Sequence, residues 1–212
     1  MWRGLRAAPV PSKSIAPGGD GRTITAKYNI AGRCDARTGL RSFFACRVEE
    51  LTPTELTLSV PVTGNIGDPV LVQVDRLGTV QGFISRQIRI GFVMSITATE
   101  SERAKLAKKI DWFLKNRDRK VVNKRRHDRF TPDNPHSTLI LGDGRTLRCF
   151  VVDMSASGAA VSANIAVEAG TPLAVGKVVG RVVRHLPSGF AVQFIQAVDI
   201  AMLEDLLIKP SV

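Results

Sequence analysis

Gly67-Asp68-Pro69-Val70-Leu71-Val72 and Gly170-Thr171-Pro172-Leu173-Ala174-Val175 are one pattern written twice: a glycine, a proline two residues on, then a short apolar run. The same 103-residue offset, without a gap, lays Cys46 on Cys149, Val48 on Val151 and Leu58 on Val161. A longer turn in the first copy then shifts the register, after which Ile90-Gly91-Phe92-Val93 resembles Gly189-Phe190-Ala191-Val192. Within each copy, runs such as Glu55-Leu56-Thr57-Leu58-Ser59-Val60 and Ser137-Thr138-Leu139-Ile140-Leu141 read as strands separated by turn residues. Each copy closes on a helical pattern. In the first, Leu106, Ala107, Ile110, Phe113 and Leu114 share a face, and Thr99 with Glu102 forms a capping box. In the second, Ile200, Leu203, Leu206 and Leu207 carry the pattern. The expected fold class is therefore all-β: two small antiparallel β-barrels, each followed by an α-helix. Barrels are expected over open sheets because short strands with free edges invite aggregation.

Length agrees with duplication, since 212 residues suit two domains of about 100 residues each. The expected division is a flexible tail over residues 1–21, rich in proline and glycine, a first domain over 22–116 and a second over 117–212. Hydrophobic residues at 44% and charged residues at 23% suit a chain that buries cores. No run approaches the length of a membrane span, and the start Met1-Trp2-Arg3-Gly4-Leu5-Arg6 lacks the apolar stretch of a signal peptide, so a cytoplasmic location is expected. Cys34, Cys46 and Cys149 form no Cys-x-x-Cys pair, which argues against a disulfide framework and a zinc ribbon and for reduced thiols.

Of the net charge of +11, +9 lies between Arg103 and Arg129, where 12 basic residues face 3 acidic ones. Such a density points to a phosphate-bearing partner or to a solvated helix face and linker. His127, His136 and His185 show no metal-ligand spacing, and no nucleophile elbow, Walker loop or dinucleotide fingerprint is present, so neither catalysis nor a metal or catalytic cofactor is expected. Nucleic-acid binding by the basic stretch is the competing reading. Against it stand an aromatic content of 6% and the absence of a recognition motif beside the charge.

Two short patterns flank the second copy's first strands. Lys124-Arg125-Arg126-His127-Asp128-Arg129 contains Arg-x-x-x-Arg, and Val152-Asp153-Met154-Ser155-Ala156-Ser157-Gly158 contains Asp-x-Ser-x-x-Gly. Their order and 24-residue separation, with Gly189-Phe190-Ala191-Val192-Gln193-Phe194 closing the copy, resemble the PilZ domain, a bacterial receptor module for cyclic di-GMP. The likeness spans about residues 120 to 208. It implies barrels of PilZ type, cyclic di-GMP as ligand, and Arg125, Arg126, Arg129, Asp153, Ser155 and Gly158 as the binding residues. It also implies a receptor that signals to an unknown downstream protein in motility, adhesion or biofilm control. The residue types suit that ligand on their own chemistry. Arginine's planar fork matches both phosphate oxygens and the O6 and N7 acceptors of guanine, whereas a carboxylate at Asp153 suits guanine's N1 and N2 donors. Ser155 offers a hydroxyl to base or phosphate, and Gly158 allows a close approach or a positive φ. Asp-x-Ser-x-x-Gly is also ordinary turn chemistry, and Arg184 reads first as a surface strand position.

The first copy has Glu50, Thr52 and Glu55 where the second has Asp153, Ser155 and Gly158. With Arg22 and Ala26 aligned on Arg125 and Arg129, it reads as a degenerate domain that keeps the fold without the ligand site. A ligand-free interaction protein is the third reading.

Overall fold

A computed structural model describes residues 24–34, 41–116 and 129–208. The expected tail, Arg22, Arg125 and Arg126 lie outside these residues. The first copy contributes β1 (Ile24–Ile30), β2 (Phe44–Leu51), β3 (Glu55–Ser59), β4 (Pro69–Val74), β5 (Gly78–Ile88), β6 (Gly91–Ile96) and α1 (Glu100–Asn116). The second contributes β7 (His136–Leu141), β8 (Thr146–Ser155), β9 (Gly158–Ala163), β10 (Pro172–Val175), β11 (Val178–Leu186), β12 (Gly189–Phe194), a 3₁₀ turn at Ile200–Met202 and α2 (Leu203–Leu207).

Each set of six strands closes into an antiparallel barrel, in the order β1-β2-β3-β6-β5-β4 and, with every number raised by six, β7-β8-β9-β12-β11-β10. The two copies share a topology as well as a sequence pattern. The opening pattern shows why. Gly67 and Gly170 both take a positive φ, +90° and +94°, at the entry to β4 and β10, a region that residues with a Cβ rarely adopt. Val70, Val72 and Val74 then alternate into the first core, as Leu173 and Val175 do into the second. Even the irregularities repeat, with a β-bulge between Val48 and Glu50 in β2 and another between Val151 and Asp153 in β8.

One alignment changes. In the barrels, Val48 lies on Val151 as expected, but Ile30 pairs with Val70 where Leu141 pairs with Leu173, so Ile30 lies on Leu141 and the first strands run at an offset of 111. The loop between β1 and β2 is longer than the Gly142–Arg145 hairpin between β7 and β8. Ala26 is therefore no counterpart of Arg129. It sits inside β1 opposite Cys46 and Val74.

The helices end the copies in different ways. In α1 the capping box forms, with Thr99 N–H and Oγ1 donating to Glu102 Oε2 at 2.7 and 2.8 Å. Ile110, with Leu106 and Phe113 beside it, packs on the first core. In α2, Leu203 and Leu207 are buried in the second core, whereas Ile200 is exposed because the chain is still in the 3₁₀ turn there. No helix among the described residues is long and apolar enough to cross a membrane.

The barrels meet along β2, β8 and β9. Consecutive residues are buried on these strands, Phe44 to Val48 and Cys149 to Val151, because one face fills the strand's own barrel and the other faces the sibling. Ala45 N–H of β2 donates to Ser162 Oγ at 2.9 Å, and Ser59 Oγ lies 2.9 Å from His136 Nε2. Ser59 and Ser162 occupy equivalent positions in the two copies, opposite Arg47 and Phe150 respectively. The same face of each barrel is thus turned toward the other.

Candidate functional site

The site is built on the bulge in β8. An extra residue, Val152, separates Val151, which pairs with Val161, from Asp153, which pairs with Ala160. A bulge re-aims the side chains that follow it. Met154 still enters the core, and Asp153 and Ser155 fall on the other face.

Arg129 is brought to the same place by a short ladder. Phe130 N–H donates to Met154 O at 3.0 Å and Met154 N–H returns a bond to Phe130 O at 2.9 Å. Phe130 packs beside Met154 in the second core, so the residues that precede each of them point outward together. Arg129 Nη1 meets both oxygens of Asp153, at 3.1 and 3.3 Å, with the side chains 33% and 28% exposed. Residues 24 apart in sequence are thus set in ion-pair contact by one pair of backbone hydrogen bonds. The sequence reading gives Asp153 to a guanine; here its carboxylate faces an arginine of the other motif.

Ser155 and Gly158 close the β8–β9 hairpin, paired across the two-residue turn Ala156-Ser157. Ser155 is 5% exposed, and its hydroxyl donates to Gly158 O at 3.2 Å, which is the turn chemistry open to it from sequence. Thr52 does the same in the first copy, donating to Glu55 O at 3.1 Å. Gly158 has no positive φ. A Cβ there would lie 2.4 Å from Val192 O, so the close approach that requires glycine is that of β12. Glu55 takes the equivalent position in the first copy, opposite Ser95 of β6.

Arg129, Ser155, Ser157, Gly158, Arg184 and Gln193 line a groove of about 270 Å³ on the outer wall of the second barrel. Arg184 is exposed on its strand, as read, and also forms one side of this groove, re-aimed by the bulge between Val182 and Arg184 in β11. Gln193 was not singled out from sequence. The alternation in Phe190-Ala191-Val192-Gln193 carries the signal, since Phe190 and Val192 enter the core and leave Ala191 and Gln193 outside. Among the described residues no group of histidine, cysteine and acidic side chains could hold a metal ion.

A tandem pair of six-stranded antiparallel barrels, with an arginine and an aspartate paired on the outer wall of the second, defines the class. The second barrel is a PilZ domain: residues 123–209 match the family model of that description. Such a domain is a binding module and not a catalyst. The first barrel repeats its topology. Among solved structures the chain is similar to PlzA of Borreliella burgdorferi in complex with c-di-GMP, at 12% identity over 92% of each chain with a TM-score of 0.31. It is similar to YcgR of Escherichia coli in complex with c-di-GMP, at 12% identity over 87% of this chain and 80% of that one with a TM-score of 0.26. It is also similar to the inhibitor of motility of Bacillus subtilis, at 11% identity over 87% and 92% with a TM-score of 0.27. Among curated proteins no match to the chain was found.

Proposed function

We propose that this protein is a cyclic di-GMP receptor. The dinucleotide binds between the arginine segment Arg125, Arg126 and Arg129 and the Asp153–Gly158 hairpin of the second barrel, and binding changes how the barrels are arranged, which a downstream protein reads. The observation that carries the reading is the Arg129–Asp153 pair in a PilZ domain, where two motifs 24 residues apart converge on one groove.

The chemistry follows from the side chains. Arg129 faces Asp153 through Nη1, and a guanidinium fork in this groove suits a phosphate or a Hoogsteen edge. Asp153 repels phosphate and accepts from guanine N1–H and N2–H, which gives base selectivity. Arg184 on the opposite side of the groove adds positive charge where a second phosphate would lie. The first barrel carries Glu55 at the position of Gly158, and this added carboxylate opposes a phosphate there.

Isothermal titration calorimetry of the full chain with cyclic di-GMP tests the ligand. Micromolar or tighter binding that depends weakly on salt is expected, since two guanine contacts and a few charge pairs hold a compact ligand. No heat with cyclic di-GMP, or binding only to an oligonucleotide with a steep salt dependence, would overturn the reading in favour of nucleic acid. Small-angle scattering at saturation tests the output, and curves identical with and without the dinucleotide would remove the rearrangement.

A further inference from the structure

The segment between Arg129 and β7 is fastened at several points, and one of the fasteners belongs to the first barrel. Phe130 is paired with Met154, and Val151 N–H donates to Pro135 O at 2.7 Å. Between these, Arg47 of β2 reaches across the interface. Its Nη1 donates to Asp133 O at 2.6 Å and its Nη2 to Pro132 O at 2.5 Å. Glu204 of α2 holds the same peptide from the other side, its Oε1 accepting from Asp133 N–H at 2.6 Å.

Arg47 is an unusual residue for an inter-barrel contact. It is 8% exposed, its Nε has no hydrogen-bond partner among the described residues, and burial works against its charge, partly offset by Glu49, Asp133 and Glu204. A buried guanidinium aimed at two backbone carbonyls fixes a peptide more firmly than it stabilises an interface. The counterpart of Arg47 in the second copy is Phe150, which fills the same face with apolar surface. Packing alone does not call for an arginine here.

We propose that Arg47 is a positioning residue for the messenger site. Through this side chain, the first barrel holds the strap of residues 129–135 in the conformation that presents Arg129 beside Asp153. The degenerate copy thereby completes the site of its sibling. A strap already held in its binding conformation loses less freedom when the ligand arrives, and the affinity rises by that difference. This role rests on the cyclic di-GMP reading above.

The test uses the full chain as wild type, Arg47→Ala, Arg47→Lys and Ser59→Ala, with calorimetry against cyclic di-GMP and amide hydrogen exchange without it. Arg47→Ala is expected to weaken binding roughly tenfold or more and to speed exchange at Phe130 and Asp133 while β9 stays protected. Arg47→Lys, which keeps the charge but reaches one carbonyl, should fall between. Ser59→Ala removes another inter-barrel contact without touching the strap and should bind within about twofold of wild type. Wild-type affinity and exchange in Arg47→Ala would overturn the role, as would Ser59→Ala losing as much affinity as Arg47→Ala. Wild-type protein that takes no cyclic di-GMP would instead overturn the receptor reading, and this role with it.

Discussion

Replacing Arg129 with alanine separates a binding residue from a structural one. In the folded protein this guanidinium makes a single-nitrogen contact to Asp153 with both side chains about a third exposed. Ion pairs in such settings contribute about 0–1 kcal/mol to stability. For a chain of 212 residues that amounts to a fall in Tm of no more than about 4 °C. A forked contact to guanine or phosphate is worth about 1–3 kcal/mol, or roughly 5- to 150-fold in affinity. Arg129→Ala should therefore unfold within a few degrees of wild type by differential scanning fluorimetry and yet bind cyclic di-GMP roughly 5- to 150-fold more weakly by calorimetry. Arg125→Ala should lose as much, Asp153→Ala should also lose affinity, and Glu50→Ala, at the equivalent bulge of the first barrel, should leave affinity unchanged. An Arg129→Ala protein that bound normally while its Tm dropped far beyond that range would refute the reasoning. The pair would then be a strut and the ligand would lie elsewhere.

Three further outcomes are expected. Gly158→Ala places a Cβ 2.4 Å from Val192 O and should destabilise by about 1–3 kcal/mol in urea unfolding, while Gly142→Ala, with nothing within 4 Å, should change little. Burial, then Arg47, Arg148 and Arg89, lowers the His136 pKa below its ordinary 6.5, so the neutral ring is the one the fold favours. Its stabilising contribution is complete above that value and is lost as the pH falls toward the folded value. The Tm should accordingly fall as the pH drops below about 6.5, and less so in His136→Gln. Cys34 is exposed, whereas burial raises the thiols of Cys46 and Cys149, the latter to about 12, so an aromatic disulfide reagent should titrate one thiol rapidly in native protein and all three after denaturation.

The barrels are legible because each copy states the same turn chemistry, and Gly67 and Gly170 take the same backbone conformation for the same reason. What misleads is a loop. The connection between β1 and β2 is longer than the four-residue turn after Leu141, and a constant offset carried through it put Ala26 on Arg129. That Arg129 and Asp153 serve one site is what the resemblance implies, but their direct pairing is set by the Phe130–Met154 ladder and is not legible in the sequence. The part played by Ser155 and Gly158 in the hairpin is legible only in part, since the same letters serve a ligand or a tight turn, and the proximity of β12 to Gly158 comes from barrel closure. Arg47 is illegible in principle. Within β2 it alternates outward like any surface residue, and only the docking of the second barrel turns that surface into an interior.

That docking also bears on how the protein can be taken apart. Ser162 meets Ala45, Ser59 meets His136 and Arg47 meets Pro132 and Asp133, each pair across the seam, and Ala45, Arg47, Ser59 and Ser162 are buried in the intact chain. A lone half released by cleavage between the copies would leave that seam without its mate, with Arg47 uncovered on one half and Phe150 on the other. Study of the dinucleotide in an excised second half would therefore be made without the arginine that the intact chain lays across residues 132–133.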